Sequence, residues 1–456
     1  MSNAWSDVQV RDALGMVPAA PSEGIAAPRY TRITTDTRSL APGALFVALA
    51  GERFDGHDYL AVARDAGATG AVVRRGTPRV EGLTCYEVDD TLHALGDLAA
   101  ARRARFTGPV VAITGQNGKT STKEMVAVAL ATRWRTHRTR ANDNNLVGVP
   151  LTILQAPDDT EAMVVEAGAN VPGEIPRYRE IVRPDIALVL NAGAGHLEGF
   201  GSVAGVVREK LALTRDVPLA IVGLEPRELA EGARVLARRV ITAGLAGADV
   251  SPTEVTLTND GRPIVAVDGR TFQLAARGHH QAGNAMFAWA VARELGLDLD
   301  AVAKALEDFA IPAGRGELRQ HGALSVLNDS YNANPQSFAT AIALARALRP
   351  GRRLVFVAGT MRELGEYAEA LHREVAGELA TLAPEVLALV GEFVPAFASH
   401  RAGFAGLLLE APDAATMGPL LAPQLTGDEL LVLKGSRGVA LERILPAILP
   451  PAATTD

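Results

Sequence analysis

The segment from Val110 to Thr122 holds the clearest chemistry in the sequence. An apolar run, Val110–Thr114, leads into Gly115-Gln116-Asn117-Gly118-Lys119-Thr120-Ser121, and a helical pattern follows. Two glycines let the backbone curl so that its N–H groups point inward, and a helix N-terminus adds partial positive charge. Lys119 can then reach the outer phosphates of a nucleoside triphosphate, and the Thr120 hydroxyl can ligate Mg²⁺. The match to the usual phosphate-loop spacing is incomplete, because Ile113 stands where the first glycine belongs. The bland alternative is a strand–turn–helix corner with a solvent-facing lysine. Strand before and helix after favour the phosphate site.

Other residues with chemical potential sit where apolar runs end. Glu166 follows Ala162–Val165, and Asp329 follows Leu324–Leu327 within Asn328-Asp-Ser-Tyr331-Asn332-Ala-Asn334-Pro335. An acid at the C-terminal end of a parallel strand faces the crevice where ligands bind, and a carboxylate there suits Mg²⁺. His196 lies in a glycine-rich stretch after Ile186–Leu190, and Lys210 in Arg208-Glu-Lys-Leu. By residue type alone, a lone His near glycines is more often structural or solvated than a ligand, and Lys210 reads as a surface lysine.

These residues need a scaffold, and the pattern supplies one. Val110–Thr114, Ala162–Val165, Ile186–Leu190 and Leu219–Val222 are short apolar runs, with helical stretches such as Ser121–Thr132 and Asn284–Leu295 between them. That alternation predicts an α/β fold with a doubly wound, mostly parallel sheet. A break near Pro312–Gly316 precedes a second alternation through Leu324–Leu327, Leu354–Val357, Val386–Val390 and Leu430–Leu433. Before about Glu87, turn-rich sequence surrounds strand-like pieces at Ala44–Ala50 and Gly70–Val73. Three domains are expected, over residues 1–87, 88–312 and 313–456, with a frayed tail at Leu449–Asp456.

Bulk properties exclude some classes. The 456 residues carry 45 basic and 52 acidic side chains, a net charge of -7, which argues against a general nucleic-acid binder. The run Arg102-Arg103-Ala-Arg105 reads as a solvated helix face. Cys85 is the only cysteine, so no intrachain disulfide forms. The start lacks a signal-peptide pattern, and no apolar run reaches the roughly 18 residues of a membrane span. A monomeric, cytoplasmic protein without membrane insertion is expected.

Thr114-Gly-Gln-Asn-Gly-Lys-Thr-Ser121 resembles the T-G-x-N-G-K-T-[ST] loop of the Mur ligase family, which also lacks the first glycine. The resemblance continues in order along nearly the whole chain. Glu166-Ala-Gly-Ala-Asn170 through Ile175 is similar to the family's E-x-G-x-N-x-x-G-E-I stretch, and Asn191 to Glu198 to N-x-x-x-x-H-L-[ED]. His279 to Asn284 resembles G-x-H-x-x-x-N. The words Asn328–Pro335, Gly359-Thr-Met-Arg-Glu-Leu-Gly365 and Lys434-Gly-Ser-Arg-Gly438 resemble those of the branch that adds a dipeptide. Departures are Asn328 and Thr360 for acids, Ala212 for a glutamate, and Asp36-Thr37-Arg38 for D-S-R.

The resemblance implies a small α/β uridine-binding domain, a central P-loop ATPase domain, and a C-terminal Rossmann-like domain that closes on ATP and binds the dipeptide. It implies an ATP- and Mg²⁺-dependent ligase of cell-wall peptidoglycan synthesis, joining D-alanyl-D-alanine to UDP-N-acetylmuramoyl-tripeptide through an acyl phosphate. It assigns catalysis to Lys119, Glu166, His196 and Lys210. ATP goes to the loop Thr114–Ser121 with Asn284, Arg315 and Asp329. Metal goes to Thr120, Glu166, His196 and a carbamylated Lys210. Substrate goes to Thr35, Asp36, Thr37, Arg38, Asn142, Asn144, Asn145, Tyr331, Asn332, Asn334, Lys434, Ser436 and Arg437. For Asn284 a plain helix-capping role stays open. Another ligase of the family, a P-loop kinase and a nucleotide-binding scaffold remain as rival readings.

Overall fold

The computed structural model describes residues 4–17, 27–51, 53–309 and 314–449. The expected 312/313 junction and the tail beyond 449 lie outside the described residues. Among those described, no helix is long and apolar enough to cross a membrane.

The central sheet is wholly parallel. Its order is Val240–Thr242, Leu219–Val222, Ile186–Val189, Val110–Thr114, Ala162–Glu166 and Thr136–Arg138. The sequence of Val110–Thr114 is apolar on both faces because both faces are covered. Helix Lys119–Ala131 and helix His279–Glu294 pack one side, and Thr91–Ala104 and Glu174–Val182 the other. Strand order reverses beside Val110–Thr114, which opens a crevice at the strands' C-terminal ends.

A second six-stranded sheet has the order Glu317–His321, Leu324–Asp329, Leu430–Lys434, Leu354–Gly359, Val386–Val390 and Leu407–Ala411. Only Glu317–His321 runs antiparallel to its neighbour. Near the N-terminus, Ile33–Thr34, Ala44–Val47, Ala68–Arg74 and Thr84–Val88 form a four-stranded parallel sheet.

Three differences from the expectation have physical causes. A three-stranded antiparallel sheet, Glu254–Leu257, Pro263–Val267 and Arg270–Gln273, interrupts the central alternation. It is anchored by Phe272 stacking on Trp289 at 5.4 Å. Helix 279–294 begins five residues before Asn284, so Asn284 is an interior residue and not a cap. The arginine run is not a solvated face, since Arg102 and Arg103 are buried. Arg102 donates to the carbonyls of Ile153 and Ala156 at 2.9 and 2.6 Å. Arg103 donates to those of Val182 and Arg183 at 2.8 and 2.9 Å and to Asp185 at 3.1 Å. These guanidiniums satisfy carbonyls that helix ends leave open. Arg105 lies over the Trp5 ring at 4.6 Å.

Glu429 sets the start of the Leu430–Lys434 strand. Its buried carboxylate accepts the N–H groups of Thr426 and Gly427, the Thr426 hydroxyl and Arg353. Burial alone would raise this carboxyl, but the hydrogen bonds outweigh it and draw it from 4.5 to about 2. A depressed carboxyl stabilises the fold fully above its unfolded value and loses that contribution as pH falls toward the folded one. Glu429→Gln is therefore expected to lower the urea midpoint at neutral pH, with the gap to wild type closing between pH 4.5 and about 2. A gap that stays constant with pH would contradict this.

Candidate functional site

The phosphate loop leaves Thr114 at the crevice and enters its helix through Gly118, whose φ of +81° is open to glycine at little cost. No side chain caps this helix, so its first N–H groups stay available for an anion. The loop is held from outside. Asn191 Oδ1 accepts the N–H groups of Gln116 and Asn117 at 3.1 and 2.8 Å, and Asn191 Nδ2 donates to the Asn117 carbonyl at 3.2 Å. Lys119 Nζ donates to the carbonyls of Gly115 and Gln116 at 2.9 and 3.1 Å. Burial pushes Lys119 down, the charge of Glu166 opposes that, and Arg315 adds to it. Such an ammonium is poised for an anion. Thr120 and Ser121 are buried in the first turn. Asn284 lies against Gly118, where a Cβ would stand 2.5 Å from its Oδ1, and its Nδ2 donates to Gln281 at 3.0 Å.

Glu166, the last residue of its strand, is almost wholly buried. Its Oε1 accepts from Thr120 Oγ1 at 3.2 Å and Asn144 Nδ2 at 2.8 Å. Its buried Oε2 has no hydrogen bond and lies 3.6 Å from Lys123 Nζ. An unsatisfied buried carboxylate oxygen beside a hydroxyl fits a divalent cation. Among the described residues no three His, Cys, Asp or Glu side chains converge on one point.

His196 sits at φ +55° ahead of the turn Leu197–Phe200. Its Nδ1 approaches Glu363 Oε2 to 2.6 Å without hydrogen-bond geometry. Lys210 is fully buried, 6.0 Å from the Phe200 ring, and burial brings it down to about 7, with Lys119 pushing the same way. A lysine at that value is partly the neutral amine that carbamylation requires. No hydrogen bond or ion pair joins His196 to Lys210 among the described residues.

The second six-stranded sheet meets this crevice. Asn334 caps helix Pro335–Leu348, and its amide pairs reciprocally with that of Asn117 at 2.8 and 3.3 Å. Gln336 accepts from Asn117 at 2.8 Å and donates to Glu225 at 3.2 Å. Arg315 lies over the Tyr331 ring at 4.0 Å. Lys434 is turned inward, 2.8 Å from Asp329 and donating to the Asn332 carbonyl at 2.7 Å. It fixes the 329–335 loop, which leaves it engaged and not free for a peptide carboxylate. Ser436 Oγ accepts the Arg362 N–H at 2.9 Å, and Arg437, exposed, pairs with Glu442 at 2.5 Å. His280 faces the Asp329–Lys434 pair, and burial pushes it down to about 4 against the pull of Asp329.

The residues expected to meet the other substrate divide. Asn144 joins Glu166, whereas Asn145 Oδ1 accepts the N–H groups of Val147 and Gly148 at a helix start. Asn142 is exposed on the same loop. Thr35 to Arg38 follow the Ile33–Thr34 strand of the first sheet. There Asp36 accepts from Arg38 at 2.9 Å, and the exposed pair makes no contact with the phosphate loop among the described residues. Sequence reasoning missed Asn191, Lys123, His280 and Glu363 as site residues. Asn191 and Glu363 stand inside recognised words, but only the fold shows what they touch.

Three family models match the chain: the Mur ligase family catalytic domain over residues 29–103, the Mur ligase middle domain over 113–292, and the Mur ligase glutamate ligase domain over 314–437. The UDP-N-acetylmuramoyl-tripeptide–D-alanyl-D-alanine ligase of Escherichia coli is 37% identical over 91% of this chain and 93% of its own length. The Synechocystis enzyme of the same name is 35% identical over 94% of each. The crystal structure of MurF from Acinetobacter baumannii superposes with a TM-score of 0.86, at 30% identity over 98% of each chain. MurF ligase from Thermotoga maritima in complex with ADP gives 0.80, at 27% identity over 91% of this chain and 96% of that one.

Gly118 yields a sharp test. Gly118→Ala forces a side chain into a left-handed position and onto Asn284, so MgADP affinity is expected to fall by roughly tenfold or more, about 1.4 kcal/mol per decade. Calorimetric titration of wild type and variant measures it; equal affinities would contradict the assigned loop geometry.

Proposed function

This chain belongs to the Mur ligase family, and we infer that it joins D-alanyl-D-alanine to UDP-N-acetylmuramoyl-tripeptide in peptidoglycan synthesis. It is an ATP-dependent ligase that forms one amide bond and releases ADP and phosphate. The observation that carries the reading is the meeting of two crevices: Asn117 of the phosphate loop is bonded to Asn334 and Gln336 of the opposite domain. Reagents held by either domain therefore face the same few ångströms.

The chemistry follows in two steps. A carboxylate oxygen of the tripeptide attacks the γ-phosphorus of ATP; that O–P bond forms as the bond to the bridging oxygen of ADP breaks. The dipeptide ammonium gives one proton to solvent and, as the free amine, attacks the acyl carbon; the C–O bond to phosphate breaks, and a second proton leaves to solvent or phosphate. Lys119 and the uncapped helix start neutralise the charge carried by the phosphoryl oxygens. Arg315, stacked on Tyr331, adds a cation from the C-terminal side. Closure of the two domains excludes water that would hydrolyse the acyl phosphate.

Mg²⁺ belongs to this reading: Glu166, whose buried Oε2 makes no hydrogen bond among the described residues, and the Thr120 hydroxyl bonded to its Oε1 would hold it, and it would neutralise phosphate charge. His196 and a carbamylated Lys210 would serve a second ion. Asn284 is placed to touch the nucleotide, and the Asp36–Arg38 turn to bind the uridine diphosphate.

Phosphate release from MgATP with UDP-N-acetylmuramoyl-tripeptide tests the function. Release is expected to depend on D-alanyl-D-alanine and to give a product heavier by one dipeptide residue. Tripeptides ending in lysine and in diaminopimelate are both assayed. No release with either, from folded protein that binds ATP, would overturn the reading. Lys119→Ala is expected to lower kcat by at least about a thousandfold, the scale of removing a transition-state charge partner; near-normal turnover would remove Lys119 from its role.

A further inference from the structure

We propose that Glu363 receives the ammonium group of the incoming dipeptide and holds it beside the phosphate loop. The proposal rests on the ligase reading above. In that reaction the amine must come within about 3–3.5 Å of the acyl carbon, one bond from the transferred phosphoryl group. The docking group must therefore lie near the tip of Lys119 and belong to a surface the dipeptide can reach.

The local charge makes a carboxylate necessary there. Lys119, Arg315 and Arg362 bring positive charge to the crevice, and an added ammonium without a counter-charge would be repelled. Glu166 is buried and already contacts Thr120, Asn144 and Lys123. Glu363 differs. It comes from the C-terminal domain, its side chain is 55% exposed, and it reaches His196 of the central domain at 2.6 Å.

The backbone sets its direction. Glu363 has φ of +65°, a left-handed position that non-glycine residues seldom occupy and that persists only where surroundings impose it. They do so on both sides. The Met361 N–H donates to His372 Nε2 at 2.9 Å, and the Arg362 N–H donates to Ser436 Oγ at 2.9 Å. Leu364 is buried, and a Cβ on Gly365 would stand 3.2 Å from the Glu198 backbone. The loop is held against both domains while the Glu363 side chain stays 55% exposed. Arg362, packed against Gly438, places a cation on the neighbouring residue, as a zwitterionic dipeptide needs.

The test compares wild type with Glu363→Gln and Glu363→Asp under saturating MgATP and UDP-tripeptide. Wild type must first show dipeptide-dependent phosphate release; its failure there would sink the ligase reading itself. With that in place, Glu363→Gln is expected to raise the KM for D-alanyl-D-alanine on the order of tenfold or more. The KM values for MgATP and UDP-tripeptide should stay within about twofold, and Glu363→Asp should recover part of the loss. N-acetyl-D-alanyl-D-alanine, which lacks the ammonium, should inhibit wild type and Glu363→Gln equally. An unchanged dipeptide KM would overturn the proposal. So would a raised Mg²⁺ requirement in its place, which would make Glu363 a metal ligand.

Discussion

A lysine ammonium set in a loop whose nearest partners are carbonyls constrains the whole molecule. Lys119 is bonded to Gly115 and Gln116, half-buried, and shares its surroundings with Arg315. Desolvated cations so close together destabilise the fold unless an anion joins them. The parallel sheet and the helix behind it supply the stability that tolerates this, and a polyphosphate supplies the missing charge. Glu166 stands on the other side of the same turn with one oxygen unsatisfied, which keeps a place of opposite sign for a cation. Cation and anion sites a few ångströms apart are what a metal–nucleotide complex requires.

The clamp that closes over this site is built from weak, reversible contacts. The amides of Asn117 and Asn334 bond each other, Gln336 bridges to Glu225, and Tyr367 reaches the Gly201 carbonyl at 3.5 Å. A neutral amide–amide hydrogen bond such as that between Asn117 and Asn334 contributes only about 1 kcal/mol. The rigid parts lie one step back. Lys434 pins the Asp329–Asn332 loop, and Asn191 pins the phosphate loop. Each domain thus carries an ordered half of the site, and the two halves face each other across these contacts.

Much of this was legible in the residues. Strand Val110–Thr114, its glycines and Lys119 could be read directly, because a phosphate loop is local and its geometry is written in consecutive residues. Glu166 and Asp329 were legible for the same reason, as acids ending apolar runs. What escaped was non-local. Arg102 and Arg103 look solvated until the ends of two other helices deliver carbonyls to them. For Asn284, assigned to the nucleotide with a capping role left open, the cap is excluded only once the helix is seen to begin at His279. Lys434 looks free to meet a substrate until register places it beside Asp329. The pairing of His196 with Glu363 joins residues of different domains, and no periodicity encodes it. The antiparallel strands at 254–273 are short and only partly alternating, so their pattern does not stand out from loops.

The central claim is that the joined half-sites activate a carboxylate by transferring phosphate to it. Tripeptide carrying heavy oxygen in its terminal carboxylate, turned over with ATP and D-alanyl-D-alanine, tests this most directly. The account predicts that one labelled oxygen appears in the released inorganic phosphate, because the attacking oxygen leaves with the phosphoryl group. Phosphate free of label, with amide product formed at the same rate, would contradict it.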